Sequence, residues 1–307
     1  MFTLGIDTSN YATSLAVYST ETKGVVCDIK QLLPVKQGEL GLRQSDALFH
    51  HIKALPKLIS EINEKFPLCK IDAVGVSTRP RSQEGSYMPC FLAGCNTAVA
   101  ISAARGVPLI EASHQDGHIN AALYACGNPL LYTKPVLIFH ISGGTTELLL
   151  CEGGKVIKKI GESTDLYAGQ AVDRIGVRLG MQFPAGAQLS ALAEECKENI
   201  KPRVSVKGTN CSLSGVENQC IKLLLDGAAD EYVAKYCLSY IAQTVLEMIS
   251  NALSIYPNAD IVCAGGVMSS KIIKTYVQAK LARAYFVDAK YSSDNAIGIA
   301  IIAANEV

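Results

Sequence analysis

Short apolar runs alternate along this chain with longer segments in which apolar residues recur every three or four positions. The clearest short run spans 136–150. Residues 136–141 are almost wholly apolar, the pattern of a strand buried on both faces. Ser142, Gly143, Gly144, Thr145 and Thr146 make a polar turn, and 148–150 run back as a second strand. The start of the chain repeats the design: 2–6 is apolar, Asp7-Thr8-Ser9-Asn10 is polar, and 14–18 returns. Two strand–turn–strand units, one opening each half, form a weak internal repeat. Adjacent glycines let the backbone approach a ligand closely and reach positive φ. Successive backbone N–H groups and three hydroxyls at such a tip suit a phosphate. The functional reading is a pair of facing phosphate loops with a nucleotide between them; the alternative is two ordinary hairpins.

The remaining pattern fills in an α/β chain. Leu48, Ile52, Leu55, Leu58, Ile59 and Ile62 recur at helical spacing, with Ser45 as the expected N-cap and Pro56 where a proline kinks a helix. Residues 27–41 read as a further strand and a loop. Strands are predicted at 71–77, 108–112, 260–264 and 284–287. Helices are predicted at 90–105, 114–125, 169–179, 187–197, 215–225, 230–255, 271–281 and 295–304. Gly106 suits a C-terminal cap. Strands alternating with helices predict a mixed sheet in each half. No flexible linker is evident, so the halves are expected to share a wide interface around a cleft. The loop RPRSQEGSY, 79–87, is a surface connection by default.

Composition narrows the class. At 307 residues the chain is long enough for two domains, and 49% hydrophobic against 18% charged residues supplies a large core. Lys+Arg and Asp+Glu are both 28, which excludes a protein coated in basic residues for nucleic acid, though not a local patch. The 11 cysteines are odd in number and lack any C-x-x-C pair. Most sit in apolar runs, the usage of small buried hydrophobes in a reducing compartment. With no signal-peptide pattern and no run of about 20 apolar residues, a soluble cytoplasmic protein is expected.

His114 and His118 are the sharpest chemical candidates. Four apart on a helix, they share a face, where two imidazoles can bind one divalent metal. No Glu follows His114, so this is not the H-E-x-x-H of a zinc protease. Asp294 precedes an apolar helix; it can cap that helix through one oxygen and bind metal through the other. Gly265-Gly266 ends a strand and begins a helix, a credible third phosphate loop. Asp173 could accept from ribose hydroxyls or sit on a solvated helix face. Phe183-Pro184-Ala185-Gly186 is a turn that could close over a base.

Taken together, these segments resemble the family of tRNA threonylcarbamoyladenosine synthase, TsaD, formerly called Gcp or O-sialoglycoprotein endopeptidase. GIDTSNYATSLAVYS matches its opening, HQDGH its His-x-x-x-His motif and ISGGTTELLL its Ser-Gly-Gly loop. AVDRIGVRLGMQFPAGAQL, CSLSGVENQ, CAGGV and YSSDNAIGIA follow in the family's order. The resemblance covers nearly the whole chain. It implies the duplicated actin-like ATPase fold (ASKHA, ribonuclease H-like), with two lobes around a nucleotide cleft. The lobes would be 1–131, with the helix 294–307 packing back, and 132–293. It implies one divalent metal, iron or zinc, on His114, His118 and Asp294. It implies an ATP- or AMP-type nucleotide on Ser142, Gly143, Gly144, Thr145, Asp173, Gly186, Gly265, Gly266 and Ser270, with Asp7 and Ser9 as catalytic residues. The reaction would move threonylcarbamoyl from threonylcarbamoyl-AMP to N6 of the adenosine beside the tRNA anticodon. A smaller homologous subunit and an ATPase would be partners.

Several positions depart from the family pattern. Tyr11-Ala12 stands where the family has an acidic pair, Thr145 where it has His, and Ala185 where it has the first Gly of Pro-Gly-Gly. Arg79-Pro80-Arg81 replaces Gly-Pro-Gly, and Ser269 or Ser270 replaces an Asn. A nucleotide- and metal-binding paralogue with a scaffold or regulatory role is therefore the second reading. Metallopeptidase activity is the third, with no carboxylate base beside the histidines.

Overall fold

The computed structural model describes residues 1–9, 11–34, 42–292 and 295–307. The chain divides into two compact units, Met1–Ala125 with Ser293–Val307, and Cys126–Ser292.

The first unit is built on β1 (Phe2–Thr8), β2 (Ala12–Ser19), β3 (Gly24–Leu32), β4 (Ala73–Arg79) and β5 (Leu109–Ser113). The sheet order is β3-β2-β1-β4-β5, with the first three antiparallel and β4 and β5 parallel to β1. Alternation along β1 separates two faces. Leu4 and Ile6 pack with Leu15 and Val17 against Leu55, Leu58 and Ile62 of α1 (Gln44–Lys65) and Ala98 of α2 (Phe91–Arg105). Thr3 and Gly5 meet the helix that closes the chain: the Thr3 hydroxyl donates to the Ala300 carbonyl at 2.7 Å. Gly106 ends α2 with φ 65°, as its cap position requires.

α1 runs unbroken through Pro56 and starts earlier than expected. Ser45 is not its N-cap. Arg43 holds that position without a side-chain bond, and the Ser45 hydroxyl lies inside the helix, 3.5 Å from Asp46 Oδ1. α3 (His114–Ala125) has the predicted bounds.

The second unit repeats the arrangement. β6 (Val136–Ser142), β7 (Thr145–Glu152) and β8 (Lys155–Glu162) are antiparallel. After α4 (Ala168–Arg178), α5 (Gly186–Glu195), the hairpin β9 (Ser205–Lys207) and β10 (Asn210–Ser212), α6 (Ser214–Leu225) and α7 (Asp230–Ile255) comes β11 (Asp260–Ala264). α8 (Lys271–Gln278), β12 (Ala284–Phe286) and α9 (Ala289–Ser292) finish this unit, and α10 (Ile297–Glu306) returns to the first. The order β12-β11-β6-β7-β8, with β11 parallel to β6 and β12, matches the first sheet position for position. Leu137, Phe139, Ile141 and Leu148 form one core with Leu238, Ile241, Val245 and Met248 of α7.

Sequence reading missed β8 and the β9–β10 hairpin. β8 buries only Gly161 and carries three lysines, so it lacks the apolar alternation of a core strand. Ala296 is the N-cap of α10 and makes no side-chain bond; Asn295, just before it, accepts from the Ile297 N–H through Oδ1 at 3.1 Å. Burial pushes the Cys126 thiol up to about 12 and Cys211 up to about 11, in keeping with packing groups that stay protonated. Among the described residues no helix is long and apolar enough to cross a membrane.

Candidate functional site

The histidine pair stands at the start of α3, and a reciprocal cap fixes that start. Ser113 Oγ accepts from the Asp116 N–H at 3.1 Å, and Asp116 Oδ2 accepts the Ser113 hydroxyl at 2.6 Å. S-H-Q-D has the spacing of a capping box, but Asp116 accepts from the Ser113 hydroxyl where a full box would have it accept the Ser113 N–H. Asp116 Oδ2 also accepts the Ser82 hydroxyl at 2.5 Å, and the Gln115 N–H donates to the Pro80 carbonyl at 3.0 Å. The polar loop after β4 is therefore tied to the first turn of α3.

On that turn His114 Nε2 and His118 Nε2 lie 3.0 Å apart, with ring planes at 76°. Two imidazoles sharing a tetrahedral ion at about 2.0–2.1 Å would hold their nitrogens about 3.3 Å apart. The pair fits a divalent cation after a shift of a few tenths of an ångström. Among the described residues no group of three His, Cys, Asp or Glu gathers for a metal, and Asp294 lies outside them.

Asp7 sits at the end of β1 with its side chain fully buried. Its Oδ1 accepts the Ser77 hydroxyl at 2.5 Å and lies 2.9 Å from His114 Nδ1. Its Oδ2 is buried with no hydrogen-bond partner among the described residues. Ser9 is buried beside it. Thr8 binds both ways, accepting from the Gly94 N–H at 3.2 Å and donating to the Cys90 carbonyl at 3.1 Å. Nothing in the sequence pattern marked Ser77 as the residue bracing Asp7.

The second constellation belongs wholly to the second unit, and two kinds of glycine build it. Gly169 and Gly265 are packing glycines. A Cβ on Gly169 would lie 2.7 Å from the Gly143 nitrogen, and one on Gly265 would lie 2.5 Å from the Ile141 carbonyl carbon. Gly265 also has φ 102°, which L side chains rarely adopt. These contacts press the start of α4 against the Ser142–Thr145 turn and the end of β11 against Ile141 of β6, just before that turn. Gly143, Gly144 and Gly266 are the opposite kind: a Cβ on any of them would meet nothing within 4 Å. Neither Gly143 nor Gly144 takes positive φ, so the conformational reason expected for them is not the operating one. Their lack of side chains leaves bare backbone on the tip instead.

Ser142 and Thr145 pair directly at the hairpin end. Thr146 Oγ1 accepts from the Ala168 N–H at 2.9 Å, which anchors α4. Asp173 Oδ1 accepts from the Ala185 N–H at 2.8 Å, so one oxygen already holds the turn before Gly186. Burial raises that carboxyl above its ordinary range, against the Ala185 bond that lowers it. Ser270 Oγ is 3.0 Å from Ser190 Oγ, which binds α5 to the loop before α8. Sequence reading missed Ser190 and Asp165.

Asp165 clamps two segments. It accepts from the Leu166 N–H at 2.5 Å, the Leu213 N–H at 2.7 Å and the Ser214 N–H at 3.2 Å, and from the Ser212 hydroxyl. Burial opposes its ionisation, but the hydrogen bonds from Ser212, Ser214, Leu213 and Leu166 outweigh it and hold the carboxyl well below the usual range. Its contribution is therefore present above the unfolded carboxylate pKa of about 3.9 and is lost as pH falls toward the folded value. Asp165→Asn should flatten the loss of stability below about pH 4 seen in the parent chain. Melting curves from pH 7 to 2.5 test this; parallel pH profiles would refute it.

Comparisons with known proteins agree with these motifs. Residues 37–301 match the family model TsaD, tRNA N6-adenosine threonylcarbamoyltransferase. A tRNA N6-adenosine threonylcarbamoyltransferase of Carboxydothermus hydrogenoformans is 27% identical over 97% of this chain and 90% of its own length. Among solved structures, HypF of T. kodakarensis aligns with a TM-score of 0.65 at 12% identity, over 99% of this chain and 47% of that one. A ROK family glucokinase from Streptomyces griseus, in complex with glucose and AMPPNP, aligns with 0.56 at 11%, over 99% and 100%. The structural likenesses establish the duplicated actin-like ATPase fold. With the family model spanning most of the sequence, the chain belongs to the TsaD family.

Proposed function

We propose that this chain transfers the threonylcarbamoyl group of threonylcarbamoyl-AMP to N6 of the adenosine beside a tRNA anticodon. Membership of the family supports the reaction. The observation that carries it to particular residues is the bare Gly143-Gly144 tip, held by the packing of Gly169 and Gly265. Backbone N–H groups of that exposed tip, with the Ser142 and Thr145 hydroxyls, would bind the phosphate of the AMP leaving group. The oxygen of Asp173 not engaged by Ala185 would accept from a ribose hydroxyl. Gly186 would leave room beside it, and Gly266 and Ser270 would line the same pocket.

His114 and His118 would hold a divalent cation, iron or zinc, with Asp294 as the expected third ligand. Such an ion supplies Lewis-acid polarisation of a carbamoyl or phosphoryl oxygen when bound. The reaction breaks the bond between the carbamoyl carbon and the AMP phosphate oxygen and forms one to adenosine N6. The amine loses a proton, and AMP leaves with the electron pair. The smaller homologous subunit, the ATPase partner and a cytoplasmic location belong to the same reading.

One observation favours the second reading, a scaffold or regulator that binds nucleotide and metal. Ala12 is fully buried within β2 and has no side-chain oxygen to offer where the family carries an acidic residue. Incubating the chain and its partners with threonylcarbamoyl-AMP and unmodified tRNA separates the two. Modified adenosine should form, and Gly144→Ala should reduce the rate at least tenfold. Nucleotide binding without any product would establish the second reading instead.

A further inference from the structure

We propose that Asp7 is a positioning residue, which holds the His114 imidazole with its proton on Nδ1 and so presents the Nε2 lone pair to a cation. The inference rests on the metal reading of His114 and His118 and adds to it a residue that never touches the ion.

Three observations carry it. Asp7 Oδ1 is 2.9 Å from His114 Nδ1, and an ionised carboxylate can only accept, so the proton in that bond belongs to the ring. A neutral imidazole carries one N–H, which leaves His114 Nε2 as an acceptor directed at His118 Nε2. The carboxylate itself is fixed: it stands on a central strand, fully buried, with Ser77 of the next strand donating to the same oxygen at 2.5 Å. Rigid elements of this kind are what a preorganised site needs.

The remaining oxygen supplies an independent argument. Asp7 Oδ2 is buried and has no hydrogen-bond partner among the described residues. A half-satisfied buried carboxylate is unfavourable unless positive charge lies nearby. A cation on His114 Nε2 would place that charge one imidazole away and strengthen the Nδ1–H bond to Oδ1. The same geometry explains why a side chain this deep can act on the site without reaching substrate.

The rival account is that Asp7 only braces β1 against β4 through Ser77. Two measurements separate the accounts. In the metal-free chain, long-range proton–nitrogen NMR should show His114 as the Nδ1–H tautomer. Titration with Co²⁺ alone should give Asp7→Asn a dissociation constant about 10–100 times that of the parent, as loss of a carboxylate behind a ligating histidine does. Ser77→Ala keeps the carboxylate and should shift affinity less than threefold. An Nε2–H tautomer in the parent, or an Asp7→Asn affinity within twofold of it, overturns the proposal. If Asp7→Asn does not fold, the tautomer of the parent decides alone. If the parent takes up no Co²⁺, the metal reading fails by itself, and the tautomer still judges Asp7.

Discussion

Gly298→Ala should lower the melting temperature of the protein by roughly 10 °C, or unfold the first unit outright. Helix propensity predicts the reverse, since alanine in a helix interior is favoured over glycine by about 1 kcal/mol. The steric term decides the sign. A Cβ on Gly298 would lie 2.6 Å from the Gly117 carbonyl carbon and 2.8 Å from the Ala121 nitrogen, both backbone atoms of α3. Neither can swing aside as a side chain can, so α10 and α3 would have to separate. A displacement of a packed helix of this kind costs about 3 kcal/mol or more. Gly117→Ala offers a graded comparison. Its Cβ would meet Ile299 Cδ1 at 2.9 Å, the flexible end of a side chain, and the loss should be smaller. Differential scanning calorimetry of the two variants gives the answer, and a higher melting temperature for Gly298→Ala would refute the crossing-glycine account.

The consequence reaches the histidines. Gly5 and Gly75 let α10 lie directly on the sheet: a Cβ on Gly5 would come within 2.5 Å of the Ala300 nitrogen, and one on Gly75 within 2.7 Å of the Ile299 carbonyl oxygen. The same helix touches α3 at Gly117, between His114 and His118 in sequence. Four glycines scattered from position 5 to 298 thus set how α10 lies on β1 and β4 and how closely the histidine helix packs on α10. Each looks unremarkable in its own stretch of sequence, because the atom it must avoid lies far along the chain.

That separation marks the boundary of what could be read beforehand. α3, α7 and β11 were legible to the residue, since each is an apolar pattern bounded by a change of polarity. The two opening hairpins were legible too, and their repetition proved to be the repeat of a whole sheet order. β8 was not, because an edge strand with one buried residue has little pattern to read. Within the site, His114 and His118 declare themselves by their spacing of four. The bond from His114 to Asp7 joins residues 107 apart, and local pattern carries no trace of it. The conformational reason expected for the diglycine does not hold: neither Gly143 nor Gly144 takes positive φ, and what the pair brings to the tip is the lack of a side chain.

The two kinds of glycine in the second unit should separate cleanly under substitution. Gly144→Ala places a methyl group in open space, so the melting temperature should stay within about 2 °C of the parent. That methyl would stand where the reading puts a phosphate, and backbone N–H groups behind it could no longer be approached. AMP affinity, measured by isothermal titration, should fall at least tenfold, equivalent to about 1.4 kcal/mol of binding. Gly265→Ala should behave oppositely at the level of the fold. Its φ of 102° strains any L residue, and its Cβ would lie 2.5 Å from the Ile141 carbonyl carbon in the central strand. Strain and backbone collision together should remove several kcal/mol, about enough to unfold a marginally stable unit. A Gly144→Ala variant that binds AMP like the parent would remove the diglycine tip from the ligand site. A Gly265→Ala variant that melts with the parent would mean that β11 and β6 do not press together as the packing requires.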